Sequence, residues 1–83
     1  MKCSIKIFAG VREAVGTDWM SIEIDQAIHP RQLKEVLAQH HPQAAELILM
    51  SRLAVSSAFV EDTELLCIDS DTDLALIPPV SGG

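Results

Sequence analysis

The first eight residues, Met1-Lys2-Cys3-Ser4-Ile5-Lys6-Ile7-Phe8, alternate between polar and apolar side chains. Alternation with a period of two is typical of a β-strand that is buried on one face only. Cys3, Ile5 and Ile7 are therefore expected to point into the core. Residues 19–24 alternate in the same way, so the two stretches predict an N-terminal hairpin with a long connection.

A helix is predicted after this hairpin. Proline is well suited to the first helical position, so Pro30 predicts the start. Leu33, Val36 and Leu37 follow at spacings of three and four residues, which places them on one apolar face. Pro42 predicts the end of the helix, because proline cannot continue the hydrogen-bonding pattern.

The remainder of the chain predicts three further strands. A strand should run from Leu53 toward Val60, interrupted by a weak turn signal, and a last strand should run from Leu74 to Pro78. A polar loop, residues 69–73, separates them. This order favours a single α+β domain over residues 1–83, with a mixed sheet of about five strands and one main helix packed on one face.

Composition and charge exclude several classes of function. The net charge is −6, and no Lys or Arg follows Arg52. Nucleic-acid binding is not expected, because it requires a basic face that neutralises phosphates. The acidity favours a partner with a basic surface, although it is equally compatible with a role in solubility alone.

The cysteines and the apolar runs predict a cellular location. Cys3 and Cys67 have no CxxC neighbour, and both are expected to be reduced, buried small side chains. No signal-peptide pattern follows Met1, and no apolar run reaches membrane-spanning length. These features predict a cytoplasmic protein without membrane association.

The last six residues, Pro78-Pro79-Val80-Ser81-Gly82-Gly83, predict a flexible tail that carries chemistry. A tail without side chains can enter a narrow channel in another protein, and the stiff proline pair would direct it away from the sheet. A terminal carboxylate becomes reactive after transfer of AMP from ATP, and a sulfur donor could then leave a thiocarboxylate. The alternative is an ordinary frayed end.

An apolar surface is predicted beside the root of this tail. Phe8 and Ile77 both fall on the outward register of their strands, and Phe59 joins them if Val60 points inward. Adjacent first and last strands would make these side chains one exposed patch, which is typical of a protein interface. A loop that covers them is the alternative.

Several segments resemble one known family over the whole length of the chain. They are Ile7-Phe8-Ala9, Val11-Arg12-Glu13, Gly16 and the segment Leu74-Ala75-Leu76-Ile77-Pro78-Pro79-Val80-Ser81-Gly82-Gly83. The chain resembles the MoaD/ThiS family of ubiquitin-like sulfur carriers, and within it most closely the small subunits of molybdopterin synthase. The Pro-Pro-Val-Ser-Gly-Gly ending separates these from thiamine-pathway carriers, which share only the Gly-Gly.

The resemblance implies a β-grasp (ubiquitin-like) fold and a role for the tail. An activating enzyme would use ATP and magnesium to adenylate Gly83, which follows Gly82, and a sulfur donor would convert it to a thiocarboxylate. The sulfur would pass to cyclic pyranopterin monophosphate inside the large synthase subunit, in a heterotetramer. The chain itself would bind no cofactor, and the catalytic residues would lie on its partners. The implied partner-binding residues are Phe8, Phe59, Ile77, Pro78, Pro79, Val80 and Ser81.

The chain departs from the family pattern at two turns. Ser56-Ser57-Ala58 stands where members commonly have an Asn-centred turn, and Asp69-Ser70-Asp71 where they commonly have Asp-Gly-Asp. Both changes remove a residue suited to positive φ.

No metal site is predicted. Adjacent histidines at a helix end, His40 and His41, rarely converge on one ion, and His29 lies far from them in sequence. The acidic loop at 69–73 lacks the glycine and the distant glutamate of a calcium loop. Three other functions remain open: a sulfur carrier for thiamine or cysteine synthesis, a ubiquitin-like protein modifier, and a non-covalent binding module.

Overall fold

The main sheet has five strands in the order β2-β1-β7-β4-β5. The computed structural model describes residues 2–25 and 27–79. β1 pairs in parallel with β7, and every other neighbouring pair of this sheet is antiparallel. The strands are β1 (Lys2–Ile7), β2 (Trp19–Glu23), β3 (Ala27–Ile28), β4 (Arg52–Val55), β5 (Ala58–Phe59), β6 (Leu66–Cys67) and β7 (Leu74–Ile77).

The alternation read from the sequence is reproduced at the core. Ile5 lies opposite Met20 on β2 and opposite Leu74 on β7, and all three are buried. Leu76 on β7 likewise faces Leu53 on β4. The side chains of one face of β1, β2, β4 and β7 therefore form a continuous apolar layer, because cross-strand neighbours share a face.

The helices cover the inner face of this sheet. They are α1 (Ala9–Val15), α2 (Pro30–His40) and α3 (Ala45–Met50), with a 3-10 turn at Pro42–Ala44 before α3. Leu33 and Leu37 of α2 are fully buried, as their spacing predicts. A sheet with the last strand inserted in parallel beside the first, and a main helix across one face, is the predicted β-grasp.

Two features differ from the sequence expectation. α1 has seven residues, where the two glycines of segment 10–16 suggest a single turn or a loop. β3 and β6 pair with each other as a second small sheet. Strands of two residues are too short to show a periodic pattern, so the alternation could not predict them.

The hairpin between β4 and β5 closes through a two-residue loop. Val55 pairs with Ala58, and the intervening Ser56 and Ser57 have φ values of 50° and 70°. Positive φ at both loop positions is the type I′ arrangement that matches the twist of a hairpin. The turn predicted here is therefore present, although Ser is a poor residue for it.

No helix in the described part of the chain is long and apolar enough to span a membrane.

Candidate docking face and tail root

The outer face of the sheet carries a row of side chains that crosses all five strands. Trp19 lies opposite Lys6, Lys6 opposite Ala75, Ala75 opposite Ala54, and Ala54 opposite Phe59. Phe59 is 50% exposed and Trp19 is 53% exposed. Trp19, on the edge strand β2, is therefore open to solvent.

The structure brings the three predicted patch residues onto this same face. Ile77 lies opposite Arg52 on β4, and Phe8 follows directly after β1, next to the end of β7. Val60 is partly buried against the core, so its neighbour Phe59 points outward. The predicted outward register is confirmed for all three, while their role in partner binding stays a prediction.

A groove of about 380 Å³ runs between the two phenylalanine side chains. Ala54 and Ala75 stand opposite each other in the middle of it, so two small side chains separate Phe8 from Phe59. A shallow apolar groove with aromatic walls can accept one side chain of a partner protein. Its full lining is Lys6, Phe8, Ala54, Ser57, Phe59, Asp73, Ala75 and Ile77.

Two cations lie on the aromatic walls. The guanidinium carbon of Arg52 is 3.9 Å from the ring centroid of Phe59, and Nζ of Lys6 is 5.4 Å from the ring centroid of Phe8. Both distances lie within the range of cation–π attraction. Each cation therefore favours a single position of the ring that it covers.

A second groove of about 380 Å³ lies beside the root of the tail. It shares Phe8 and Ile77 with the first groove, so these two side chains form the ridge between them. Pro78 is buried and Pro79, the last described residue, is exposed. The lining is Phe8, Ala9, Gly10, Leu47, Ile77, Pro78 and Pro79.

The predicted tail residues Val80, Ser81, Gly82 and Gly83 lie outside the described residues. Their carrier and partner-binding roles therefore stay predictions.

The backbone turns sharply at the start of α1, and this turn sets the direction of Phe8. Phe8 is extended, with φ −136° and ψ 162°, and its carbonyl accepts the N–H of Arg12 at 3.3 Å. Ala9 then has φ 49°, in the left-handed region that costs a non-glycine residue about 1 kcal/mol or more. Strand and helix thus join without a linker, which keeps Phe8 on the outer face while Val11 enters the core.

The remaining candidate sites have structural accounts. Within residues 2–25 and 27–79, no three His, Cys, Asp or Glu side chains are grouped so as to hold a metal ion. His29 precedes α2 while His40 and His41 stand at its other end, so they cannot converge. In the acidic loop, the N–H of Asp71 donates to Oδ1 of Asp69 at 2.9 Å, which closes a local turn.

Sequence reasoning missed the cations of this face and its alanine floor. Arg52 precedes the apolar part of β4, and nothing local to it shows that it stacks on a ring seven residues later. Ala54 lies between Leu53 and Val55 on β4. Its side chain is so small that the sequence does not predict which face of the sheet it lies on. These neighbours are set by the register between strands, which the sequence of one segment does not determine.

Comparison with curated proteins finds relatives that match over nearly the whole chain, although no family model matches. The chain is 31% identical over 81 residues to a molybdopterin synthase sulfur carrier subunit of Dictyostelium discoideum, covering 95% of this chain and 93% of that protein. It is also 31% identical over 84 residues to the human protein of the same name, covering 98% and 96%.

Solved structures with the same fold cover the chain as completely. A Pyrococcus furiosus protein assigned as subunit 1 of molybdopterin converting factor superposes with a TM-score of 0.75 at 25% identity, over 96% of this chain and 99% of that one. Small archaeal modifier protein 1 of Haloferax volcanii gives 0.74 at 21% identity, over 95% and 98%. A complex of subunits 1 and 2 of molybdopterin-converting factor from Helicobacter pylori gives 0.67 at 16% identity, over 100% of both chains.

The structural matches establish the ubiquitin-like β-grasp, and the sequence matches extend from end to end at more than 30% identity. The chain belongs to the family of molybdopterin synthase sulfur carrier subunits.

Proposed function

We propose that this chain is the sulfur-carrying small subunit of a molybdopterin synthase and acts in molybdenum cofactor biosynthesis. The observation that carries the proposal is the full-length match to sulfur carrier subunits of that synthase. The geometry supports it, because Pro78 and Pro79, which precede the tail, line a groove together with Phe8 and Ile77.

The proposed chemistry takes place at Gly83. A carboxylate oxygen attacks the α-phosphorus of Mg-bound ATP on an activating enzyme, and pyrophosphate leaves. A sulfur donor then attacks the carbonyl carbon of the acyl adenylate, AMP leaves, and Gly83 becomes a thiocarboxylate. The sulfur is transferred to cyclic pyranopterin monophosphate; water then attacks the carbonyl carbon, the carbon–sulfur bond breaks, and Gly83 returns to a carboxylate. The catalytic groups for each step belong to the partner enzymes.

The tail and the sheet face have separate tasks in this proposal. The tail, residues 78–83, enters the active site of the large subunit, where Gly82 and Gly83 need no space for side chains. Phe8, Phe59 and Ile77 dock against the surface of the large subunit and hold the tail in place. Exposed aromatic side chains are suited to this task, because their burial contributes much of the binding energy of an interface.

The assembly is proposed to contain two copies of each subunit. The Helicobacter pylori structure joins subunits 1 and 2 of molybdopterin-converting factor, and its subunit fold is shared by this chain. The large subunit of the synthase is accordingly the expected partner, beside the activating enzyme and a sulfur donor.

Intact mass spectrometry tests the carrier chemistry directly. The chain is incubated with its activating enzyme, Mg-ATP and a sulfide source, and its mass is measured. Replacement of one oxygen by sulfur adds about 16 Da, a covalent change that is readily resolved. We expect the added mass on Gly83, and release of sulfur when the large subunit and its pterin substrate are supplied.

A variant with one alanine added after Gly83 is the matched control, because its fold and docking face are unchanged. It should bind the large subunit but gain no sulfur. An unmodified natural chain, in a reaction where a known carrier is converted, would contradict the proposal and favour a non-covalent module. Recovery of the chain in isopeptide linkage to lysines of other proteins would favour a protein modifier, and sulfur delivery only to thiamine or cysteine synthesis would favour the other carriers.

A further inference from the structure

The outer face of the main sheet, which we call the docking face, carries cations although the chain as a whole is acidic. The chain as a whole carries −6, which favours a basic partner surface. Yet Lys6 and Arg52 both lie on the outer face of the sheet: Lys6 lines the groove between the two phenylalanines, and Arg52 stacks on the ring of Phe59. The region around Phe8, Phe59 and Ile77 therefore carries two cations, Lys6 and Arg52, and one carboxylate, Asp73.

Lys6 and Arg52 differ from two other cations of the chain, which form ion pairs with carboxylates. Arg12 lies 3.7 Å from Asp18, and Lys34 lies 2.9 Å from Asp62. By contrast, the described parts of the chain offer neither Lys6 nor Arg52 an ion-pair partner. Their close neighbours are aromatic rings, which attract a cation without neutralising it.

The outer face also carries carboxylates, and one of them, Asp73, lines the groove between the phenylalanines. Asp73 stands before β7, where its carbonyl accepts the N–H of Ser56 at 2.8 Å, at the end opposite Ile77. Glu23 pairs in register with Lys2, also toward that end. Asp73 thus borders the same groove as Lys6, whereas Arg52 lies opposite Ile77, near the root of the tail.

We infer that the partner surface that covers this face is apolar and carries carboxylates that meet Lys6 and Arg52. The inference rests on the proposed function, in which the partner is the large synthase subunit. Docking removes water from the aromatic walls and from the cations stacked on them. Removal of an unpaired cation from water costs free energy. A partner that binds tightly must therefore supply carboxylates or other hydrogen-bond acceptors for these cations.

This arrangement makes Lys6 and Arg52 specificity-determining residues. A partner with a basic surface, which the net charge favours, would be repelled at the position where the tail must enter. Charge complementarity between two surfaces speeds their association, and like charges on a wrong partner oppose its binding.

Charge reversal tests the inference in the full-length chain. We expect Lys6→Glu and Arg52→Glu each to weaken binding to the purified large subunit by about tenfold or more, chiefly through slower association. Added salt should slow association of the unaltered chain, because screening weakens its attraction to the partner. It should speed association of the double variant, which carries both Lys6→Glu and Arg52→Glu, because screening weakens its repulsion. Surface plasmon resonance at several salt concentrations measures both effects.

Arg31→Glu is the matched control, because it makes the same change in net charge at an exposed position of α2, away from the outer face. It should leave affinity within about twofold of the unaltered chain. Arg52→Gln and Lys6→Gln separate charge from packing: they should lose part of the affinity and flatten its salt dependence. Thermal unfolding of each variant verifies that the fold persists.

The outcomes separate the two proposals. Binding by the unaltered chain, with no loss or even a gain on reversal of Lys6 or Arg52, overturns this inference and leaves the carrier function in place. Equal losses for Arg31→Glu also overturn it, because net charge would then be the cause. Absence of binding by the unaltered chain overturns the proposed function and this inference together.

Discussion

The ammonium nitrogen of Lys34 lies 2.9 Å from Oδ1 of Asp62, although the Lys34 side chain is only 6% exposed. The same nitrogen donates to the carbonyl of Ser51 at 3.0 Å and to that of Leu49 at 3.4 Å. One side chain of α2 thus joins three segments: the end of α3, the start of β4 and the loop after β5. The half-exposed Asp62 and two backbone carbonyls satisfy a buried charge.

Loss of this contact should destabilise the fold. Lys34→Met keeps most of the buried stem but leaves two carbonyls without their donor, so we expect a loss of about 1–3 kcal/mol in the free energy of unfolding. Asp62→Ala should cost less, about 1 kcal/mol, because the Asp62 side chain is 43% exposed and water can replace it. Urea denaturation measures both. A neutral Lys34→Met would show that the contact adds nothing to stability.

The β4–β5 hairpin should become more stable with better turn residues. Ser56 and Ser57 both have positive φ, which strains residues with a Cβ atom. Replacement by Asn-Gly, the pair preferred in a type I′ turn, should raise the free energy of unfolding by about 1 kcal/mol. The midpoint of chemical denaturation reports the change.

Ser70→Gly provides the control for this hairpin. It introduces the glycine that the family commonly has, but Ser70 is absent from the described residues with positive φ. Glycine there relieves no strain and adds freedom to the unfolded chain, so stability should be unchanged or fall slightly. A gain equal to that of the Asn-Gly hairpin would show that positive φ is not the cause.

The two glycines of the α1 region should respond to alanine for different reasons. A Cβ on Gly10 would lie 2.7 Å from Cδ2 of Leu47, whereas a Cβ on Gly16 meets nothing within 4 Å. Gly16 has φ 89°, so Gly16→Ala should cost about 1 kcal/mol through backbone strain alone.

Gly10→Ala tests the contact with Leu47 through a double-mutant cycle. Alanine favours a helix by about 1 kcal/mol over glycine, but here its methyl group must displace Leu47. We expect Gly10→Ala to be neutral or destabilising alone and stabilising in a Leu47→Ala background. Equal effects in the two backgrounds would exclude the contact.

The two cysteines should differ in reactivity and in their effect on alkaline stability. Burial raises the pKa of the Cys3 thiol, which also donates to the carbonyl of Asp69 at 3.6 Å. Cys67 is exposed, so the expectation that both cysteines are buried is wrong for Cys67. Iodoacetamide near pH 8 should therefore modify Cys67 rapidly and Cys3 only after unfolding. Single-cysteine variants measured by mass spectrometry give the two rates, and similar rates would contradict the prediction.

The sign of the pH dependence follows from the raised pKa of Cys3. Its contribution to stability is fully present below the pKa of an unfolded cysteine, about 8.5, and is lost as pH rises through the higher folded pKa. Unfolding should therefore become easier at alkaline pH in the natural chain than in Cys3→Ala, each compared with its own stability at pH 7. Parallel pH profiles would contradict this assignment.

The elements that the sequence predicts well are long and periodic. The alternation around Ile5 and the spacing of Leu33 and Leu37 both report which local face is buried, and both are confirmed. The two-residue strands β3 and β6 carry no periodic signal, and their pairing depends on residues about forty positions apart. Burial of Lys34 could not be foreseen, because its partners come from other parts of the chain.

The sequence by itself determined the core face of each long strand, the main helix and the ending that resembles sulfur carriers. These properties depend on neighbours in the chain, and side-chain period and composition record them. Only the tertiary structure decided that Phe8, Ile77 and Phe59 share one face, with Lys6 and Arg52 beside them. β7 pairs with both β1 and β4, so Lys6 lies opposite Ala75, 69 positions later, and Arg52 lies opposite Ile77, 25 positions later.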